Sequence, residues 1–188
     1  MLPELLKDLT LFHVLHQIDQ DLALSCRKAG CPFCHSPLHS AAYTRKPRGG
    51  PNGIPEEYSV RLSLCCSNKD CRHRVLPPSC LFWGRKVYWS AVILIITTLH
   101  QQNPQANSIN MLARKFDISR KTVVRWIHYF RKEFPQSEQW QRLRGLVSAQ
   151  ISNHNLPGAL FHHFLRLQEP SSIGLINCLQ FLAVGHDP

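Results

Sequence analysis

Apolar residues recur along this chain at two different periods, and the switches between them mark out its organisation. From 3 to 25, Leu5, Leu9, Phe12, Leu15, Ile18 and Leu22 stand three or four residues apart, which places them on one face of an amphipathic helix. From 26 to 86 that period gives way to a stretch rich in Cys, Pro and Gly. Within it, 38–46 and 57–64 alternate as strands do, with Tyr58, Val60, Leu62 and Leu64 on one side. Arg48, Gly49, Gly50, Pro51, Asn52 and Gly53 join the two strands as a hairpin. Helical spacing returns at 87–102, breaks at 102–105 around Pro104, and resumes at 108–116 and 119–134. Helical patches follow at 137–150, 157–167 and 172–183, interrupted at Asn155-Leu156-Pro157 and Glu169-Pro170.

The expected fold class is α+β and mostly α: a small ribbon with a β-hairpin, then a compact helical unit and further helices. The pattern divides the chain into an N-terminal amphipathic helix (1–25), a Cys-rich ribbon (26–86), a helical domain (87–134) and a C-terminal helical interaction segment (135–188). At 188 residues there is room for small modules and none for a large catalytic barrel or a doubly wound sheet. The most apolar run, Val87 to Leu99, is shorter than the about 20 residues a bilayer requires, so it predicts a buried core helix and no membrane association.

Charge changes the picture. The chain has 22 Lys and Arg against 12 Asp and Glu, a formal net charge of +10. Residues 1–25 carry −3, residues 26–88 carry +8, residues 89–134 carry +5 and the rest are neutral. A basic block on a folded middle is what a phosphate backbone attracts, because neutralising phosphates releases condensed counterions. The neutral tail and acidic N-terminal helix predict docking instead, to a second copy or to another protein.

Eight cysteines would suit a secreted disulfide scaffold. The N-terminal residues lack a basic region followed by an apolar run, so a reducing, cytoplasmic and nucleoid-associated setting is expected. There, Cys31-Pro32-Phe33-Cys34 and the pair Cys66 and Cys71 are two short knuckles flanking a hairpin. Four thiolates turned toward one point complete the closed tetrahedron of a structural Zn²⁺ site. Alternate strand residues face opposite sides, so Cys65 and Cys66 should not both face the metal, and Cys66 is preferred because it opens the shorter knuckle. Cys65, Cys26, Cys80, His35, His39 and His73 are near enough in sequence to substitute. Cys26, Cys80 and Cys178 otherwise read as small buried hydrophobes.

The run from Ile109 to His128 carries the second signal. A helix-turn-helix needs a small residue where two helices cross, a turn four residues later, an apolar residue after it and inward apolar positions on the second helix. Ala113, Asp117, Ile118, Val123 and Trp126 stand at those offsets. Asp117 replaces the usual glycine and tolerates positive φ better than most residues, and Ser119 suits an N-cap. The outward face then presents Ser119, Arg120, Lys121, Thr122, Val124, Arg125 and His128. Arg120, Lys121 and Arg125 are the expected base readers, since an arginine fork matches guanine O6 and N7. Arg114, Lys115, Arg131 and Lys132 are the expected phosphate contacts. Arg45, Lys46 and Arg48 lie on a basic stretch that reads equally as a DNA-gripping loop or as an ordinary turn.

These motifs, together with the runs at 38–49, 62–66, 71–79 and 82–88, resemble the zinc-ribbon plus helix-turn-helix proteins found among bacterial transposases and transposon-associated proteins. The resemblance covers about residues 26 to 134 and implies binding to a specific sequence of double-stranded DNA. It stops short of DNA cutting: the residues after 134 hold acids only at Glu138, Glu169 and Asp187, too few for a two-metal nuclease core. No phosphate-binding glycine loop, nucleophile elbow or His-Glu-x-x-His motif is present. His13 with His16, and His162 with His163, have no Cys or carboxylate company. The leading expectation is a non-enzymatic, zinc-stabilised DNA-binding protein, a regulator or a targeting subunit of a mobile-element or defence assembly. The alternatives are a small recombinase-type enzyme and an RNA- or protein-binding ribbon adaptor.

Overall fold

The computed structural model describes residues 2–50, 52–84, 87–149, 151–167 and 170–184. Pro51, Glu169 and Asp187, and the Arg85 and Lys86 of the run at 82–88, lie outside the described residues. The fold is mostly helical with small antiparallel sheets, as the periodicity predicts.

Helix α1 (Leu9–Ala29) starts where the Asp8 side chain accepts the Thr10 N–H at 2.9 Å. It runs past the expected end at residue 25. Its buried face is Leu11, Phe12, Leu15, His16 and Asp19, so the stripe is rotated relative to the expected one and Leu9 faces solvent. The reason lies sixty residues away in sequence. The buried Asp19 carboxylate accepts hydrogen bonds from the Ser79 hydroxyl and the Cys80 N–H, which pins α1 to the segment leaving the ribbon. Beside it, the buried Arg61 guanidinium donates to the carbonyls of Leu62 and Pro77.

Burial pushes the Asp19 carboxyl up from 3.8 to about 6, against the lowering effect of its two hydrogen bonds. The folded state therefore holds this proton more tightly than the unfolded chain does. The contribution to stability is full below pH 3.8 and is lost as pH rises through about 6. Asp19→Asn, neutral throughout, removes that slope. Relative to the parent, the variant should gain stability between pH 4 and 7, by about 3 kcal/mol at most. Urea unfolding of both proteins at each pH measures this, and a constant difference across the range would contradict it.

The ribbon contains strands β1 (Leu38–Ser40), β2 (Tyr43–Thr44), β3 (Val60–Arg61), β4 (Leu64–Cys66) and β5 (Arg74–Val75). One sheet has the order β1-β4-β5, with Leu38 opposite Cys66 and Leu64 opposite Val75; β2 and β3 pair separately, Tyr43 opposite Arg61. The expected hairpin is present, but each arm is broken into two short strands. Tyr58 is not in a strand: after Pro55 the chain makes a 3-10 turn, Glu56–Ser59, that lays the ring against α1. Its hydroxyl meets His13 Nδ1 at 3.0 Å and its ring sits 5.0 Å from that of His16.

Helix α2 (Ser90–Gln102) is buried continuously from Ser90 to Thr98 and forms the centre of the main core. It starts later than expected because Tyr88 and Trp89 are extended, bridging to Arg48 and Phe82. Helices α3 (Ile109–Lys115) and α4 (Arg120–His128) follow. Beyond α4 the backbone widens into a π turn, Tyr129–Glu133, and then a 3-10 turn, Phe134–Gln136. The wider turn keeps Phe130 and Phe134 both directed inward, where they join Trp83 and Trp140 in one aromatic row. Helices α5 (Glu138–Leu143), α6 (Gly158–Leu167) and α7 (Ser171–Val184) close the core. The main core runs from Leu2 to Ala183; the ribbon holds a separate small cluster of Cys31, Leu38, Leu64, Cys66 and Val75.

Candidate metal centre and basic helical face

The two cysteine knuckles differ in length but share two backbone features. In each, the residue after the second cysteine adopts a left-handed conformation, His35 at φ 57 and Arg72 at φ 47. In each, the first cysteine's N–H donates to the carbonyl two residues beyond the second: Cys31 to Ser36 at 3.0 Å and Cys66 to His73 at 2.9 Å. This repeated turn folds all four sulfurs inward. The Sγ atoms of Cys31, Cys34, Cys66 and Cys71 lie within 4.8 Å of one another, with Cys31 to Cys71 at 3.7 Å and Cys34 to Cys66 at 3.4 Å. A tetrahedron of sulfurs at 2.3 Å from a zinc ion has edges of about 3.8 Å. The four cysteines are positioned to bind a metal ion such as zinc, and with the small antiparallel sheet they make a zinc-ribbon-like element.

The thiols of the cluster differ in acidity. Hydrogen bonds from Ser36 pull the Cys34 thiol down to about 6, whereas burial pushes the Cys66 thiol up to about 12. A divalent ion would hold all four as thiolates and release protons as it binds. The alternative ligands stay outside the cluster. Cys65 turns to the other face of β4, its thiol directed at the Arg72 carbonyl at 3.7 Å. Cys80 and Cys178 are buried in the main core, and Cys26 packs half-buried beside the ribbon cluster. His35 and His39 are exposed, and the His73 ring lies against Phe33.

The helical pair α3–α4 is built as its spacing predicts. Asp117 sits at φ 50 in the turn, Ser119 caps α4 by accepting the Thr122 N–H, and Ala113, Ile118, Val123 and Trp126 are buried. The exposed stripe of α4 is Arg120, Lys121, Val124, Arg125 and His128. Thr122 requires a correction. Its spacing assigned it to the outward face, yet it is only 5% exposed, and its hydroxyl bonds Ser119 Oγ at 2.8 Å and receives Arg125 at 3.2 Å. It orients Arg125 from below and does not face solvent.

Arg114, Lys115, Arg131 and Lys132 are all exposed, flanking that stripe. Among the described residues, no carboxylate pairs with any of these lysines or arginines; His128 alone meets an acid, Glu133, at 3.8 Å. Two contributors, Asn110 and Val87, were not visible in the sequence, whereas Val124 lies on the outward face as its spacing predicts. Asn110 on α3 accepts from Arg120 through its side chain at 3.1 Å and from Arg114 through its carbonyl at 3.4 Å. Val87 and Val124 are exposed along one open cleft with Tyr88, Arg125 and Tyr129. Nothing in the periodicity marks Asn110, because its role depends on a contact between two helices.

The basic stretch at 45–48 is divided. The Arg45 guanidinium lies over the rings of Phe82 and Tyr43, at 5.3 and 5.6 Å, and donates to the Gly84 carbonyl. It is half-buried against these rings and does not extend freely from the loop. Lys46 and Arg48 are exposed. The loop beyond them docks on the helical unit: a methyl group on Gly49 would come 3.0 Å from Ile118 and 3.1 Å from Val92. Arg48 thus stands beside the turn between α3 and α4.

No family model, curated protein or solved structure matches this chain. No helix among the described residues is long and apolar enough to cross a membrane.

Proposed function

We propose that this chain is a zinc-stabilised, sequence-specific double-stranded DNA-binding protein whose α4 enters the major groove. The observation that carries the reading is the outward stripe of α4, where Arg120, Lys121 and Arg125 project without acidic partners from a capped helix following a left-handed turn. Arginine forks reading guanine, and Val124 against a thymine methyl, give this face its sequence preference. Arg114, Lys115, Arg131, Lys132 and, from the docked loop, Lys46 and Arg48 take phosphates. Zinc follows from the donor set, since four sulfurs in a closed tetrahedron leave no position for water or substrate. The metal's role is architectural, and the function proposed for the chain is binding. The resemblance of residues 26 to 134 implies a regulator or targeting subunit of a mobile-element or defence assembly.

The C-terminal helices supply self-association or a protein partner: Leu146, Leu167 and Val184 are exposed along a groove shared with Phe164 and Phe181, with no charged side chain lining it among the described residues. The test of the DNA reading is selection from a randomised duplex library by the zinc-loaded chain. One preferred sequence should emerge, and Arg120→Ala with Arg125→Ala should abolish the preference, at about 1–3 kcal/mol for each lost bidentate contact. Unchanged affinity and preference in the double variant would reject the assignment. Incubating supercoiled plasmid with the protein and Mg²⁺ should leave it intact; nicking that disappears with Glu138→Gln would favour the recombinase alternative.

A further inference from the structure

We propose that the ribbon carries a second nucleic-acid surface, a platform on which one unpaired base of a single strand stacks, formed by Phe33 with His73 behind it. This surface uses neither α3 nor α4. Phe33 is 68% exposed, and among the described residues it is the one aromatic side chain presented to solvent in this way. Its position is fixed from both sides: it sits between Cys31 and Cys34, and the His73 ring of the second knuckle lies 4.1 Å away, tilted by 54°.

The surroundings select the occupant. Arg27 and Lys28 lead into the first knuckle, Lys69, Arg72 and Arg74 line the second, and all five are exposed. Among the described residues none of them pairs with a carboxylate. Four thiolates around a divalent ion would carry a formal −2, and the second knuckle itself contains Asp70; the five exposed cations outnumber these three charges. Pro32 and Pro37 are the exposed aliphatic residues beside Phe33; the other exposed side chains along the two knuckles are charged or histidine, which disfavours an extended apolar protein partner. A π-face within a cationic rim is the combination that holds single strands, the cations following the backbone while the ring accepts any base. In an intact duplex the base faces are already stacked, so the platform is selective for unpaired nucleotides.

The experiment is fluorescence anisotropy of the zinc-loaded full chain with a short labelled oligothymidylate, alongside an oligonucleotide containing 2-aminopurine. Phe33→Ala should weaken single-strand binding by about 5- to 150-fold, the equivalent of one lost stacking contact. Phe33→Tyr should preserve it. The 2-aminopurine emission should be quenched by the parent and by Phe33→Tyr but not by Phe33→Ala, with equal zinc content in all three. Arg120→Ala with Arg125→Ala should leave single-strand affinity unchanged, which separates this surface from the duplex reading. The proposal is overturned if the parent does not bind the strand, if Phe33→Ala binds it as the parent does, or if the α4 variant is the one that loses it.

Discussion

Removing the metal, by chelation or by Cys66→Ser, should unfold the ribbon while leaving the helical core folded. The ribbon's own cluster contains five buried residues, two of which are Cys31 and Cys66 themselves. So small a core cannot offset the entropy of ordering the segment around it. Structural zinc in small domains supplies an apparent 10–16 kcal/mol, on the order of everything that holds such a unit together. The helices share a different and much larger core. Hydrogen exchange should therefore show lost protection at 31–40 and 64–75 with α2 little changed, and thiol labelling should reach all four ligands. Cys65→Ser, on the opposite face of β4, should retain stoichiometric metal. Full protection of the ribbon after chelation would contradict the metal's structural role.

Trp140→Ala should be the most damaging single truncation in the helical core, costing about 3–5 kcal/mol. Trp140 is the largest of the fully buried side chains, its ring 5.5 Å from that of Phe134, and its indole N–H donates to Asn153 Oδ1 at 2.7 Å. The loss therefore combines a cavity with an orphaned acceptor. Because Phe134 continues through Phe130 to Trp83, the cavity opens behind the turn that follows α4. Trp140→Phe refills most of that volume and should cost markedly less. Leu146→Ala, at a residue 76% exposed, should leave the isolated chain nearly unaffected. Chemical unfolding of the three variants measures the series; equal effects for Trp140→Ala and Leu146→Ala would refute the packing account.

What the sequence made legible was local. The Cys31, Cys34, Cys66 and Cys71 spacing and the offsets of Ala113, Asp117, Ile118, Val123 and Trp126 each describe a turn or a pair of turns, and side-chain periodicity encodes these directly. The positive φ at Asp117 is a property of that residue type in that place. Other features were set by contacts between distant residues. The rotation of α1 follows from Asp19 reaching Ser79, and the burial of Thr122 from its hydroxyl closing on Ser119 and Arg125. Arg45 was drawn inward by Phe82. Strand β5 is two residues long, too short for any alternation to show. Duplex binding itself is a reading of exposed charge and shape, and it rests on chemistry at a surface.

The salt dependence of binding addresses that reading most directly. The affinity of the zinc-loaded chain for its selected duplex should be followed from 50 to 200 mM salt. With Arg114, Lys115, Arg131, Lys132, Lys46 and Arg48 on phosphates, the log–log slope should be about −5, or a loss on the order of 1000-fold across the range. Absence of duplex binding at the lowest salt, or an affinity independent of salt, would contradict the account.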